Sequence, residues 1–200
     1  MENELMRQAT QKTGLKLIKI KSKDELEDLL RSGLNTLYAD VFGGEPYNEI
    51  FSEEEVDTIF MDYFDKNGEI FVGICPATQK PVSFVVSTPL KYKFDIVRLL
   101  EPEMDTKDSA YFAEDGVAEQ FRRQGISSAM KELLLSYCFS LGYANVILRT
   151  SLENIPQRRA VEKANGVLLN GATQTVERTQ RDGLVLEQNC FYLFKPQIKG

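Results

Sequence analysis

The chain reads as an α/β (α+β) domain built on a mixed sheet. Three observations carry that reading. Apolar runs of strand length recur between longer segments whose apolar residues fall at i, i+3, i+4 and i+7. Turn formers separate them, and the elements run β, α, α, β, β, β, α, β, α, β, β, an order that belongs to a mixed sheet with helices on its faces. At 200 residues, the length suits a single buried core and is awkward for two.

Residues 1–14 are polar and unpatterned and are expected to be a loose leader, with the domain over 15–195 and a short tail at 196–200. Leu15-Lys-Leu-Ile-Lys-Ile20 alternates apolar and basic residues, as a strand with one buried face does. Ser22-Lys-Asp-Glu25 has capping-box order, and Leu26, Leu29, Leu30, Leu34, Leu37, Tyr38 and Val41 continue as one helical face. A second box, Ser52-Glu-Glu-Glu55, opens a helix through Val56, Ile59, Phe60 and Phe64. The aromatic turn between these helices, Phe42 to Phe51, is expected to pack Phe42 and Phe51 beneath itself.

Glu69–Cys75 and Pro81–Ser87 form a hairpin across the turn-rich 76–80. Within 91–107, Ile96–Leu100 suits either a short strand or a helical turn, and 101–108 is an acidic loop. Ala110–Val117 is a mostly apolar strand, and the helix after Gly125 places Ile126, Ala129, Met130, Leu133, Leu134, Tyr137, Cys138 and Leu141 on one face. Then come a strand at Ala144–Thr150, a helix at Ile155–Lys163, and two last strands around an Arg181-Asp-Gly183 turn signal.

Composition excludes several chemistries. With no histidine, Ser-His-Asp and Cys-His catalysis and most zinc sites are ruled out, and no metal is expected. Cys75, Cys138 and Cys190 are odd in number, lack metal-ligand spacing and read as reduced core residues. A net charge of −6 with no basic stripe disfavours nucleic acid. No apolar run approaches a bilayer span and the start lacks signal-peptide order, so no membrane partner and a cytoplasmic location are expected.

The junction at Arg122-Arg123-Gln124-Gly125-Ile126-Ser127-Ser128 stands between a strand and a helix. Such a helix start aims unpaired amides and the positive end of its dipole outward, which suits phosphate. Gly125 removes the Cβ that would hold a diphosphate off, the serines add donors, and the arginines add charge. A capped connection with solvated arginines is the plainer alternative.

The segment Val117-Ala-Glu-Gln-Phe-Arg-Arg-Gln-Gly-Ile-Ser-Ser-Ala-Met130 resembles the cofactor-binding motif of the GNAT superfamily of acyl-CoA N-acyltransferases, Arg/Gln-x-x-Gly-x-Gly/Ala, with Ser127 standing where Gly or Ala is usual. Asn154-Ile-Pro-Gln-Arg-Arg-Ala-Val-Glu-Lys-Ala-Asn-Gly166 looks like the same family's next motif. The resemblance implies a mostly antiparallel sheet in which two neighbouring strands, those of Val117 and Ile147, splay to admit acetyl-CoA as co-substrate. By the same resemblance, the backbone of Gly116, Val117 and Ala118 binds the pantetheine arm. The loop from Arg122 through Ser128 takes the diphosphate, and Asn154, which is also a good N-cap residue, meets the arm.

The implied reaction is direct acetyl transfer to a primary amine of a small molecule or peptide. Glu114 is the first candidate base, because a charge on so apolar a strand is costly unless it has a use, and Asp115 is the second. Glu132 reads as solvated. Tyr47 and Glu49, with Glu45, are candidates to hold a cationic acceptor. Many family members protonate the departing thiolate with a tyrosine where this chain has Ala160 and Val161, so an acyl-CoA sensor of the same fold stays open as an alternative, as does a nucleotide at the glycine loop. The aromatics Phe191, Tyr192 and Phe194 allow either a homodimer or packing in the chain's own core.

Overall fold

Alternation along two apolar strands sets the architecture. In β2 (Glu69–Ile74) and β3 (Pro81–Pro89) nearly every residue is buried, so both faces must be covered. Phe71 and Val85 point into one cluster with Met130, Leu134 and Cys138, whereas Ile70, Val72, Phe84 and Val86 point into another with Leu26, Leu34, Tyr38 and Phe60. The protein is described by a computed structural model that covers residues 1–45, 47–180 and 183–196.

The remaining elements are α1 (Glu2–Thr13), β1 (Lys16–Lys19), α2 (Lys23–Leu29), α3 (Asn35–Gly43), α4 (Glu53–Asp65), α5 (Phe94–Leu100), β4 (Ser109–Val117), α6 (Ile126–Ser140), β5 (Asn145–Ser151), α7 (Ile155–Lys163), β6 (Val167–Gln180) and β7 (Gly183–Phe194). The seven strands form one sheet in the order β1-β2-β3-β4-β5-β7-β6. Every neighbouring pair is antiparallel except β4–β5, which is parallel. The predicted mixed, mostly antiparallel sheet is therefore observed.

Local chemistry explains the helix starts. Ser52 and Glu55 complete a capping box, with the Glu55 N–H donating to Ser52 Oγ at 3.2 Å and the Ser52 N–H donating to Glu55 Oε2 at 2.7 Å. Ser22 caps α2 by accepting from the Glu25 N–H. The face read as one helix from Leu26 to Val41 is instead broken: a π turn at Leu30–Leu34 separates α2 from α3, with Gly33 at φ 112, a conformation open to glycine. Ile96–Leu100 resolves to helix, and Phe42 and Phe51 pack around Tyr38 as expected.

The expected loose leader is an ordered helix. Its Leu5 and Ala9 lie on the Ala129 and Leu133 face of α6, and Lys12 Nζ meets Glu132 Oε2 at 2.5 Å on the surface. The turn signal at Arg181-Asp182 and most of the tail fall outside the described residues. Phe191, Tyr192 and Phe194 are buried in the chain's own core. No helix among the described residues is long and apolar enough to cross a membrane.

Candidate functional site

The site begins where two strands stop pairing. β4 and β5 share a ladder only over Ser109–Phe112 and Asn145–Leu148, although β4 runs on to Val117 and β5 to Ser151. Beyond that point β5 pairs only with β7, and β4 only with β3, which leaves a wedge between them. A bulge helps to open it: Val86 faces Glu114 and Ser87 faces Phe112, so Ala113 is the extra residue.

The Ala118 N–H donates to Val82 O at 2.8 Å, and ladder alternation then turns Gly116 toward β3 and Asp115 and Val117 toward the wedge. Of the three residues expected to offer backbone there, only Val117 presents its N–H to the open edge. Its carbonyl already accepts from Arg122 Nε at 3.2 Å. Gly116 is a glycine for a different reason, since a Cβ there would stand 2.5 Å from Phe84 Cε1.

At the end of the wedge, α6 starts at Gly125 without a side-chain cap, and the Gly125 φ of 79 leaves nothing within 4 Å of where a Cβ would sit. Arg123, two residues earlier, is also left-handed, at φ 63, so the chain turns tightly just before the helix start. Arg123, Gln124 and Ser128 are exposed around it, and the Ile126 side chain is buried beneath. Ser127 points inward instead: its hydroxyl donates to Asp115 Oδ2 at 3.4 Å and accepts from Lys131 Nζ at 3.1 Å.

The two candidate carboxylates diverge, as adjacent strand residues must. Asp115 forms a buried ion pair with Lys131, whose side chain is 3% exposed against 17% for Asp115, and it also accepts from Gln157 Nε2 at 3.1 Å. That engagement removes Asp115 as a free base. Glu114 faces a cleft of about 150 Å³ and accepts from the Tyr63 hydroxyl at 2.9 Å. Burial pushes the Glu114 carboxyl up to about 7, while Tyr63 and Lys93 pull it down.

Tyr47 and Glu49 also line this cleft, and each already has a side-chain partner. The Tyr47 hydroxyl accepts from Asn154 Nδ2 at 3.1 Å. Glu49 accepts from Arg178 Nη1 at 2.7 Å, and Arg178 Nε reaches Glu187 Oε2 at the same distance. Glu45 opens on a separate groove with Arg122 and Lys80. Asn154 caps α7 by accepting from the Gln157 N–H at 3.2 Å. Val161 is fully buried.

Tyr63, Lys93, Arg149, Arg178 and Glu187 were not anticipated. Arg149, a charge inside the run Val146-Ile-Leu-Arg149, carried the same signal as Glu114. The others come from distant segments whose convergence has no local signature. No group of three or more His, Cys, Asp or Glu side chains that could hold a metal occurs among the described residues.

The sequence profile of the acetyltransferase (GNAT) family matches residues 33–167. Curated proteins returned no match. Among solved structures, the chain resembles the ribosomal-protein-S18-alanine N-acetyltransferase of Escherichia coli at 14% identity and a TM-score of 0.63, covering 92% of this chain and 96% of that one. A phosphinothricin acetyltransferase from Sinorhizobium meliloti in complex with AcCoA gives 12% identity and 0.66 over 90% and 88% of the two chains. Arabidopsis thaliana NAA60 in complex with a bisubstrate analogue gives 14% and 0.60 over 90% and 98%.

Proposed function

This chain belongs to the acetyltransferase (GNAT) family, and from that premise we propose that it transfers an acetyl group from acetyl-CoA directly to a primary amine. The observation that carries the reading is the wedge beyond Phe112 and Leu148, which opens beside the uncapped start of α6. Unpaired strand edges and bare helix amides are costly when they serve nothing, and pantetheine amides and a diphosphate are the groups that satisfy both.

In this reading the Val117 N–H pairs with the pantetheine arm, and the amides after Gly125 receive the diphosphate with Arg122 and Arg123 at the mouth. An arm entering the wedge takes over the partners that Gln157 and Asp115 now supply to each other. Asn154 keeps its capping role and turns its amide from Tyr47 to the arm. The Lys131–Asp115 pair then acts as the floor beneath Ser127, holding the loop rather than moving protons.

Glu114 is the base. An amine acceptor arrives as an ammonium, and a carboxyl near 7 is balanced to take its proton at physiological pH. The nitrogen then attacks the acetyl carbonyl, and charge developing on that oxygen faces the open edge of β4. The sulfur leaves as thiolate, with a free thiol pKa of about 8.5, so a dedicated acid is dispensable. Tyr47 is the hydroxyl that stands at this end of the cleft. The three buried, unpaired thiols are consistent with work in a reducing cytoplasm.

Val161 favours one second reading, a silent acyl-CoA sensor, since it occupies the turn where a tyrosine acid is usual. Two measurements separate the readings. CoA, but not ATP, is expected to raise the melting temperature by mass action, and Gly125→Val is expected to abolish that rise. Acetyl-CoA with a panel of amines is expected to release free CoA thiol. Stabilisation by ATP alone would overturn the acyl-CoA reading, and stabilisation by CoA with no turnover on any amine would favour the sensor.

A further inference from the structure

Among the described residues, Lys93 is the one cation lining the cleft in front of Glu114 that makes no ion pair. Arg178 is matched by Glu49 and Glu187, and Lys131 is matched by Asp115. Arg149 is held less firmly: its guanidinium donates to Gln174 Oε1 at 2.9 Å and lies 3.8 Å from Asp95, a carboxylate that is 57% exposed. Lys93 has no carboxylate partner among the described residues. Its Nζ stands 5.1 Å from the centre of the Tyr63 ring and 5.5 Å from that of Tyr111, so two aromatic rings steady the ammonium without accepting its hydrogens. Desolvation by these walls pushes the Lys93 pKa down, which marks an ammonium short of counter-charge.

The carboxylate that most favours its charged form is Glu114, on the hydroxyl end of the same Tyr63. That compensation disappears during the proposed reaction, because Glu114 becomes neutral when it takes the proton from the acceptor. A second anion must then face Lys93, or the cation is stranded in a partly buried site. The acceptor is the component that can bring one. The cleft, with a volume of about 150 Å³, has room for one small acceptor group beside Lys93 and Glu114.

We propose that Lys93, assisted by Arg149, anchors a carboxylate of the acceptor, so that the substrate class is a free amino acid whose amine meets Glu114 across the Tyr63 ring. This rests on the acetyltransferase reading and sharpens it. The Glu49–Arg178–Glu187 cluster is closed on itself, so a polyamine finds no free carboxylate pair to hold its second charge.

The test offers the free L-amino acids, each beside its carboxamide, together with putrescine and an alanine-initiated tripeptide. Release of CoA thiol from acetyl-CoA and calorimetric binding to the CoA complex are both read. The best acid is expected to exceed its carboxamide by about ten- to hundredfold in kcat/KM and in affinity, as a charge-assisted contact gives. Lys93→Met is expected to collapse that ratio toward one, chiefly through KM, and Lys93→Arg to preserve it, with circular dichroism verifying that both variants are folded. Equal or better use of carboxamides, putrescine or the tripeptide overturns the proposal, as does a preference that survives Lys93→Met. If acids bind ahead of carboxamides yet no amine is acetylated, the anchor stands and the acetyltransferase reading falls.

Discussion

Replacing Glu114 with glutamine should move stability and activity in opposite directions. The difference between an ordinary carboxyl near 4.5 and one near 7 corresponds to about 3 kcal/mol against the ionised form in the folded state. Because the folded value is raised, the native protein holds this proton more tightly than the unfolded chain does. The stabilising contribution is full below pH 4.5 and is lost as pH rises through about 7. Glutamine keeps an oxygen for the Tyr63 hydroxyl and never ionises. The variant should therefore match the parent near pH 5 and melt higher at pH 8.5, by roughly 5–10 °C for a chain of this size. Over the same range the parent's kcat/KM should rise with pH through about 7. The variant should lose that limb and about 10²–10⁴ of its turnover. Paired melts and pH–rate profiles read both effects. A melting difference that is constant from pH 5 to 8.5 refutes the burial argument, and a limb that persists in the variant refutes the role of Glu114 as base.

Other perturbations test the scaffold around it. Lys131→Met strands the Asp115 carboxylate and should cost about 3 kcal/mol in urea unfolding, with Asp115→Asn added to Lys131→Met recovering a large part. Gly116→Ala sets a methyl against the Phe84 ring and should cost about 1–3 kcal/mol, reduced when Phe84→Leu makes room. Burial pushes the Cys138 thiol up to about 12 and raises that of Cys190. Both should therefore stay silent to Ellman's reagent in the native protein and react once it is unfolded. Rapid titration of either in native buffer would contradict their placement in the core.

What could be read from the residues in advance was whatever local chemistry determines. The two serine caps, the helix that starts after Gly125 and the burial of a carboxylate on an apolar strand are each set by residues within a few positions. The leader helix escaped notice because Ala9 is its only fully buried residue. A helix of this length depends on docking against α6, and docking leaves little periodicity behind. The break at Gly33 was hidden because leucines kept their helical spacing across it. The pairing of Asp115 and Glu49 could not be read in advance for one reason: their counterions, Lys131 and Arg178, stand 16 and 129 residues away. Gly116 shows that a residue suited to a ligand's approach can be required by an aromatic neighbour instead.

The last hairpin supplies Arg178, Glu187 and Asn189 to the cleft, and all three lie beyond residue 167, where the family profile stops matching. The glycine loop and the parted strands lie within the matched stretch. Lys93, Glu114 and Arg149 lie within it too, so the ribbon closes one wall of a cleft whose proposed anchor and base belong to the matched stretch. Replacing Arg178 and Glu187 in that ribbon should reshape this wall and free Glu49 while leaving the affinity for CoA where it was.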